Sequence, residues 1–130
     1  MTDPVADMLT RIMNAVRVKH QEVVVPHSKL KESILEIFKD QGYIKNYRVI
    51  SENNKKDIVI YLKYTEEGES VIRGAEKVSK PGRRIYVKSK NLDIVLGGLG
   101  TGVVSTSSGI KTVKQCKKEK VGGEYLCKIW

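Results

Sequence analysis

The chain has 130 residues, 40% of them apolar, with a formal charge of +9 and an isoelectric point near 9.6. That is enough apolar material for one folding unit or two half-size subdomains, and it excludes a disordered or low-complexity chain. No apolar run reaches membrane-spanning length and no basic-then-apolar leader opens the sequence. The charge therefore points to a polyanionic partner, or, more plainly, to a lysine-rich soluble surface.

Asp3 and Pro4 open the first predicted helix, Asp3 as its cap and Pro4 at the first helical position. Val5, Met8, Leu9, Ile12, Met13 and Val16 recur at helical spacing, with Arg11 and Arg17 off that stripe. Glu22–Val25 reads as a short strand that stops at Pro26. Ser28 caps a second helix with the stripe Leu30, Ile34, Ile37 and Phe38, ended by Gly42. Two strands, Tyr43–Ile50 and Asp57–Tyr64, flank a polar turn over residues 51–56.

The acidic stretch Thr65–Ser70, with Gly68, sets a boundary between a first subdomain, 1–70, and a second, 71–130. In the second, Val71–Val78 and Arg84–Lys88 read as strands about Lys80-Pro81-Gly82. Asn91–Leu96 reads as one helical turn and Gly97–Gly100 as a flexible bend. Thr101–Thr106 is a strand, Thr112–Lys120 a short helix, and Glu124–Trp130 a last strand behind Gly122-Gly123. The class is α+β: a two-layer helix–strand–helix–strand–strand subdomain, then a smaller, mainly β subdomain with a short helix.

Catalytic and nucleotide-binding chemistries find little support. Gly98-Leu99-Gly100-Thr101-Gly102 leads into a strand, where a dinucleotide loop needs a helix. Gly109-Ile110-Lys111-Thr112 imitates a Walker loop, but Ile110 parts the glycine from the lysine. The row Ser105-Thr106-Ser107-Ser108 offers nucleophiles, yet both histidines, His20 and His27, are far away in sequence, and no nucleophile-elbow glycine precedes the row. A small serine hydrolase is thus the weakest rival. Cys116 and Cys127 are too few and too far apart for zinc and read as buried small apolar residues in a reducing compartment. The expectation is no enzyme, no metal and no cofactor, in the cytoplasm or in an organelle matrix or stroma.

The cations are unevenly placed. Residues 1–65 carry 11 Lys and Arg against 8 acids, residues 66–130 carry 13 against 7, so the net charges are +3 and +6. Lys80–Lys90 holds Lys80, Arg83, Arg84, Lys88 and Lys90 with no acid. As a strand, Arg84–Lys88 places Ile85 and Val87 on the core face and Arg84, Tyr86 and Lys88 outside, an aromatic between cations suited to a base or sugar with phosphates beside it. Lys111, Lys114, Lys117, Lys118 and Lys120 form a second cluster, with Lys114, Lys117 and Lys118 opposite Val113 and Cys116. Each stretch also reads as an ordinary solvated face. Between them the hydroxyl row suits ribose hydroxyls and base edges, or else a turn whose hydroxyls serve their own backbone, with Thr112 capping the next helix.

These residues also resemble a known family over essentially the whole chain. The ordered matches are Asp3–Ile12 with Asn14-Ala15, Val25-Pro26 with Ser28-Lys29, Lys80–Tyr86, Leu99-Gly100, Ser105-Thr106-Ser107 with Gly109, and Val121-Gly122-Gly123-Glu124 ending in Trp130. The chain resembles the small-subunit ribosomal protein eight family, of the bacterial and organellar type. The resemblance implies a primary binder of the central domain of small-subunit rRNA that supports subunit assembly. It implies an irregular rRNA helix read through Ser105, Thr106 and Ser107, with Tyr86 and Glu124 on the same surface. Thr2, Asp3, Arg11, Ser28 and Lys29 match positions facing the rRNA backbone. The fifth and seventeenth small-subunit proteins would be neighbours, and repression of the protein's own operon mRNA is a further implied property. The chain departs from the family pattern at Met13 and Ser108, where a cation is usual, and at Val113, where an acid usually starts the last helix. Lys111 stands near enough in sequence to replace the cation missing at Ser108.

The reading is a structural constituent of the small ribosomal subunit that binds RNA. Lys and Arg side chains, among them Arg83, Arg84, Lys88, Lys111 and Lys114, supply salt-sensitive affinity, and the hydroxyl row with Tyr86 supplies selectivity. The principal alternative is a generic basic RNA- or DNA-binding module outside the ribosome.

Overall fold

The computed structural model describes residues 2–93 and 95–130, with residues 96 and 97 described by backbone alone. The elements are helix α1 (Pro4–Arg17), strand β1 (Glu22–Pro26), helix α2 (Lys29–Asp40), strands β2 (Ile44–Glu52), β3 (Lys55–Leu62), β4 (Ala75–Lys77), β5 (Tyr86–Val87), β6 (Thr101–Thr106) and β7 (Gly109–Thr112), helix α3 (Val113–Glu119) and strand β8 (Gly123–Ile129). The fold is mixed α+β with two antiparallel sheets. The backbone divides into two compact units, Asp7–Arg73, and Gly74–Trp130 with the residues up to Ala6.

In Asp7–Arg73 the sheet order is β1-β3-β2. Val25 pairs with Ile58 in the register, and both are buried with Ile60 and Leu62. Met8, Leu9 and Ile12 of α1 and Ile34, Leu35 and Phe38 of α2 are buried too, along with Ala15, Val16, Tyr43, Ile44, Val59 and Ile72. The α2 stripe lies one residue further round than its spacing predicts. Leu30 is 38% exposed, while Lys31 is only 4% exposed and its ammonium donates to the Pro26 carbonyl at 2.7 Å. One carbonyl acceptor makes a lysine tolerable where the apolar periodicity asks for leucine, and its burial lowers the Lys31 pKa. Ser28 caps α2 as expected, accepting from the Lys31 amide at 3.1 Å. The turn between β2 and β3 is tighter than the six residues predicted. Asn53 and Asn54 alone turn the chain, both with positive φ (52° and 63°), the mirror-image hairpin turn whose twist matches the strands.

The other unit is built around β8. Its sheet order is β4-β8-β6-β7, and β5 also pairs with β8. β4 lies against Cys127–Ile129 and β5 against Gly123-Glu124, one after the other along the same edge. This is why the two strands are shorter than the predicted Val71–Val78 and Arg84–Lys88 and do not pair with each other. A turn in which the Lys80 and Arg83 amides donate to each other's carbonyls (3.1 and 2.9 Å) carries the chain between them.

β7 was not expected, because Gly109–Thr112 offers a single apolar residue to a sequence pattern. The predicted helical turn at Asn91–Leu96 is replaced by two 3-10 turns, Ser89–Asn91 and Val95–Gly98, the second of which takes up part of the predicted glycine bend; Ile94 lies outside the described residues. Thr112 caps α3 reciprocally with Gln115, a capping box that replaces the acid absent at Val113.

One core cluster of this unit is Leu92, Val104, Val113, Cys116 and Tyr125, with Val78, Ile85, Val87 and Val121 against it, and Val103, Leu126, Cys127 and Ile129 are buried as well. Asp3 caps α1, accepting from the Ala6 amide at 3.1 Å, and its carboxylate stands 3.8 Å from the buried Lys77 ammonium. Both cysteines are free and buried, as the sequence implies. Burial pushes the Cys116 thiol up and the Cys127 thiol up to about 12. Both thiols should therefore resist alkylation at pH 8 in the native protein and react when it is unfolded in guanidinium. Rapid labelling of either in the native state would show that the β8 core is not closed.

Candidate nucleic-acid interface

Tyr86, Glu124 and Ser105 form one cross-strand row. Tyr86 of β5 is registered against Glu124 of β8, which is registered against Ser105 of β6. Paired residues share a sheet face, so the three lie together on the face turned away from the core residues Val104 and Tyr125. Tyr86 is 71% exposed, and Arg84 and Lys88 are exposed beside it, with Ile85 and Val87 turned inward, the alternation read from the sequence.

Glycines bring the row together. A β-carbon on Gly123 would lie 2.1 Å from the Ser105 carbonyl oxygen, and one on Gly122 would lie 2.4 Å from the Val87 carbonyl oxygen. The first turn of β8 therefore passes between β5 and β6 at a distance only glycine permits. In sequence the pair reads as a mere break before a strand.

Ser79, in a stretch otherwise notable for cations, is the second residue that sequence reasoning missed. It is fully buried. Its hydroxyl donates to Glu124 Oε2 at 2.5 Å and accepts from the Ile85 amide at 3.1 Å, while Arg84 donates to the same Oε2 at 3.1 Å. The Val78 and Ser79 amides both donate to the Leu126 carbonyl, and the Lys77 ammonium donates to the Ser79 carbonyl. Glu124 is thus held at one oxygen, and among the described residues its Oε1 has no hydrogen-bond partner.

The four hydroxyls are not equivalent. Thr106 donates its hydroxyl to the Gly109 carbonyl at 2.7 Å and accepts from the Ser108 amide at 3.1 Å, closing the β6–β7 hairpin about Ser107 and Ser108. Ser107 and Ser108 are exposed at the tip and Ser105 is half-buried. None of these three hydroxyls has a hydrogen-bond partner among the described residues. The turn reading thus holds for Thr106, and the other three are open to a ligand.

The cations sort in the same way. Lys111 donates to Glu119 at 2.5 Å and cannot replace a missing cation at Ser108 without giving up that partner. Lys117 donates to the Ser89 carbonyl at 3.4 Å and is half-buried, whereas Lys114 and Lys118 are exposed on α3. Arg84 is tied to Glu124, and Arg83 is exposed. Thr2 is exposed and Asp3 half-buried in the same unit. Arg11, Ser28 and Lys29 belong to the other unit: Arg11 pairs with Asp7 at 3.0 Å and donates to the Val24 carbonyl at 3.1 Å, Ser28 is the α2 cap, and Lys29 is exposed. Both histidines also lie in that unit, His27 against Glu32 at 2.8 Å, and no histidine stands among residues 74–130. Among the described residues, no three His, Cys, Asp or Glu side chains gather where a metal ion could sit.

The family model for ribosomal protein S8 matches residues 3–130. This chain belongs to the ribosomal protein S8 family. Proteins named small ribosomal subunit protein uS8 align with it from end to end: those of Halothermothrix orenii and Clostridioides difficile are each 52% identical over 100% of this chain and 98% of their own. That of Thermodesulfovibrio yellowstonii is 48% identical over 100% of this chain and 99% of its own. As a member of the S8 family the chain is not an enzyme.

Gly123→Ala should cost roughly 1–3 kcal/mol in urea unfolding, because backbone atoms of β6 block the new methyl group. Gly82→Ala, with nothing within 4 Å of the added carbon, should stay within roughly 0.5 kcal/mol of the parent.

Proposed function

We propose that this S8-family chain is built into the small ribosomal subunit, in the cytoplasm, as a structural component that binds the central domain of small-subunit rRNA directly and supports its assembly. The observation that carries the proposal is the row Tyr86–Glu124–Ser105, continued by the hairpin tip at Ser107. A carboxylate in the middle of this surface repels phosphate and accepts from a donor. Ribose 2′-hydroxyls and exocyclic base amines are such donors, and an irregular helix presents them in a widened minor groove. Ser105 and Ser107 add neutral donors and acceptors on either side, Thr106 fixes the turn that presents them, and Tyr86 offers an open ring face for a base or sugar.

Arg83, Lys88 and Lys114 are exposed cations of the same unit, Lys111 is a further cation read from the lysine cluster, and Thr2, Asp3, Arg11, Ser28 and Lys29 are contacts implied by the family pattern. Asp3, Arg11 and Ser28 also have local structural partners, so their contact with rRNA is through what those partners leave free. The relatives' name places them in the small subunit, and this chain joins them there beside neighbouring proteins, the fifth and seventeenth among them. A stem in its own operon mRNA with the same irregular helix would meet the same row.

The test is binding to a central-domain rRNA fragment and to a fully paired RNA of equal length. Ser105→Ala and Ser107→Ala should each weaken fragment binding by roughly three- to tenfold, leave the paired RNA unchanged and leave the slope of log K against log salt unchanged. Lys88→Ala should weaken both RNAs and lower the slope by about one unit. Equal binding of fragment, paired RNA and duplex DNA by the parent protein would instead identify a generic basic module.

A further inference from the structure

Beyond the row, the same unit holds a groove of about 630 Å³ between residues 86–90 and the junction of α3 with β8. Lys88, Lys90 and Lys120 line it with Ser89, Gly122 and Gly123, and among the described residues no acidic side chain does. Among the described residues none of these three lysines is in an ion pair, whereas Lys111 is matched by Glu119 and Arg84 by Glu124. Local attraction therefore cannot account for three ammonium groups gathered around one groove, and a polyanion would relieve their mutual repulsion.

The groove is firmly built. The Lys117 ammonium ties α3 to the Ser89 carbonyl, the Asn91 amide donates to the Lys88 carbonyl at 2.9 Å, and the Val121 amide donates to the Cys116 carbonyl at 3.0 Å. Gly122 lies against Val87 and Lys88 with no room for a side chain, so the floor is backbone. Lys120 ends α3 in left-handed backbone, φ 58°, and so keeps a cation in a conformation that costs a lysine some strain.

Tyr86 lines the groove and also ends the reading row, so the two surfaces are continuous. Across that tyrosine the charge changes, from the Arg84–Glu124 ion pair on the row to three lysines in the groove. We propose that the groove takes the phosphodiester backbone of the RNA strand that leaves the reading row past Tyr86, with Lys90 and Lys120 as its phosphate contacts. This rests on the RNA-binding reading above and assigns the row and the groove different parts of the same nucleotide chain: sugar and base edges on the row, phosphates in the groove.

The full chain carrying Lys90→Gln with Lys120→Gln, titrated against the rRNA fragment and the paired RNA over a range of salt, tests it. The slope of log K against log salt should fall by roughly 1.4 to 1.8, the release of two phosphate contacts, with the ratio of the two affinities unchanged. Lys90→Arg with Lys120→Arg, which keeps both charges, should restore the slope. Lys19→Gln with Lys45→Gln, an equal loss of charge in the other unit, should leave it near the parent value. An unchanged slope for the Lys90/Lys120 variant, an equal fall for the Lys19/Lys45 variant, or a fall in the affinity ratio would each overturn the groove assignment. A parent protein with no preference for the fragment would overturn the reading of the row, and the slopes would still report on the groove.

Discussion

The carbonyl oxygen of Ser105 stands only 2.1 Å from where a β-carbon on residue 123 would lie. Because residue 123 has none, β8 enters the sheet with β6 on one edge and β5 on the other within its first two residues. Everything on the outer face follows from that entry. It sets Glu124 between Tyr86 and Ser105, and it leaves the Glu124 carboxylate within reach of Ser79 and Arg84. It also fixes the backbone of Gly122 as the floor of the lysine groove. A side chain at either glycine would separate the strands and dissolve the row, however well the rest of the core packed.

The charge of this unit is better sorted than its composition implies. Arg84 is engaged by the carboxylate of the row, Lys111 by Glu119, and Lys77 is buried against Asp3. Each of these cations is offset by a neighbouring carboxylate and contributes less field outside the fold. Among the described residues, Lys88, Lys90, Lys114, Lys118 and Lys120 have no such partners. The unpaired positive charge is thereby kept off the Tyr86–Glu124–Ser105 row and on its flanks, where, on the proposed reading, it would add affinity without obscuring the neutral contacts.

Elements with local signals were legible in the sequence. Asp3-Pro4, Ser28 and Thr112 each sit where a cap is needed, and their side chains make the expected bonds. The strand Thr101–Thr106 matches its predicted range, since glycines precede it and the hydroxyl turn follows it. What was illegible depends on partners distant in the chain. Lys31 takes an apolar site because Pro26 offers a carbonyl, and β4 and β5 are cut short because they share one edge of β8. The roles of Thr106 and Ser108 within one row of hydroxyls are set by which of them faces Gly109. Tyr86 and Glu124 came forward as a pair only through resemblance to a family, and Ser79 gave no signal, because a buried serine looks in sequence like any turn residue.

The central position of β8 also governs the order in which the molecule can be made. Chains emerge from the ribosome N-terminal end first, and Asp7–Arg73 has its three strands and most of its helical face as soon as β3 is synthesised. In the other unit, β4 and β5 have no strand to pair with until Gly123–Ile129 exists, and only the β6–β7 hairpin can form alone. Asp3, among the first residues made, waits for Lys77, and Gly74 waits for the backbone of Trp130. A nascent chain therefore carries its cations long before it carries its row of readers. On the proposed reading, selective recognition is the last property to appear, and a chain cut short of β8 would hold RNA by charge without discriminating.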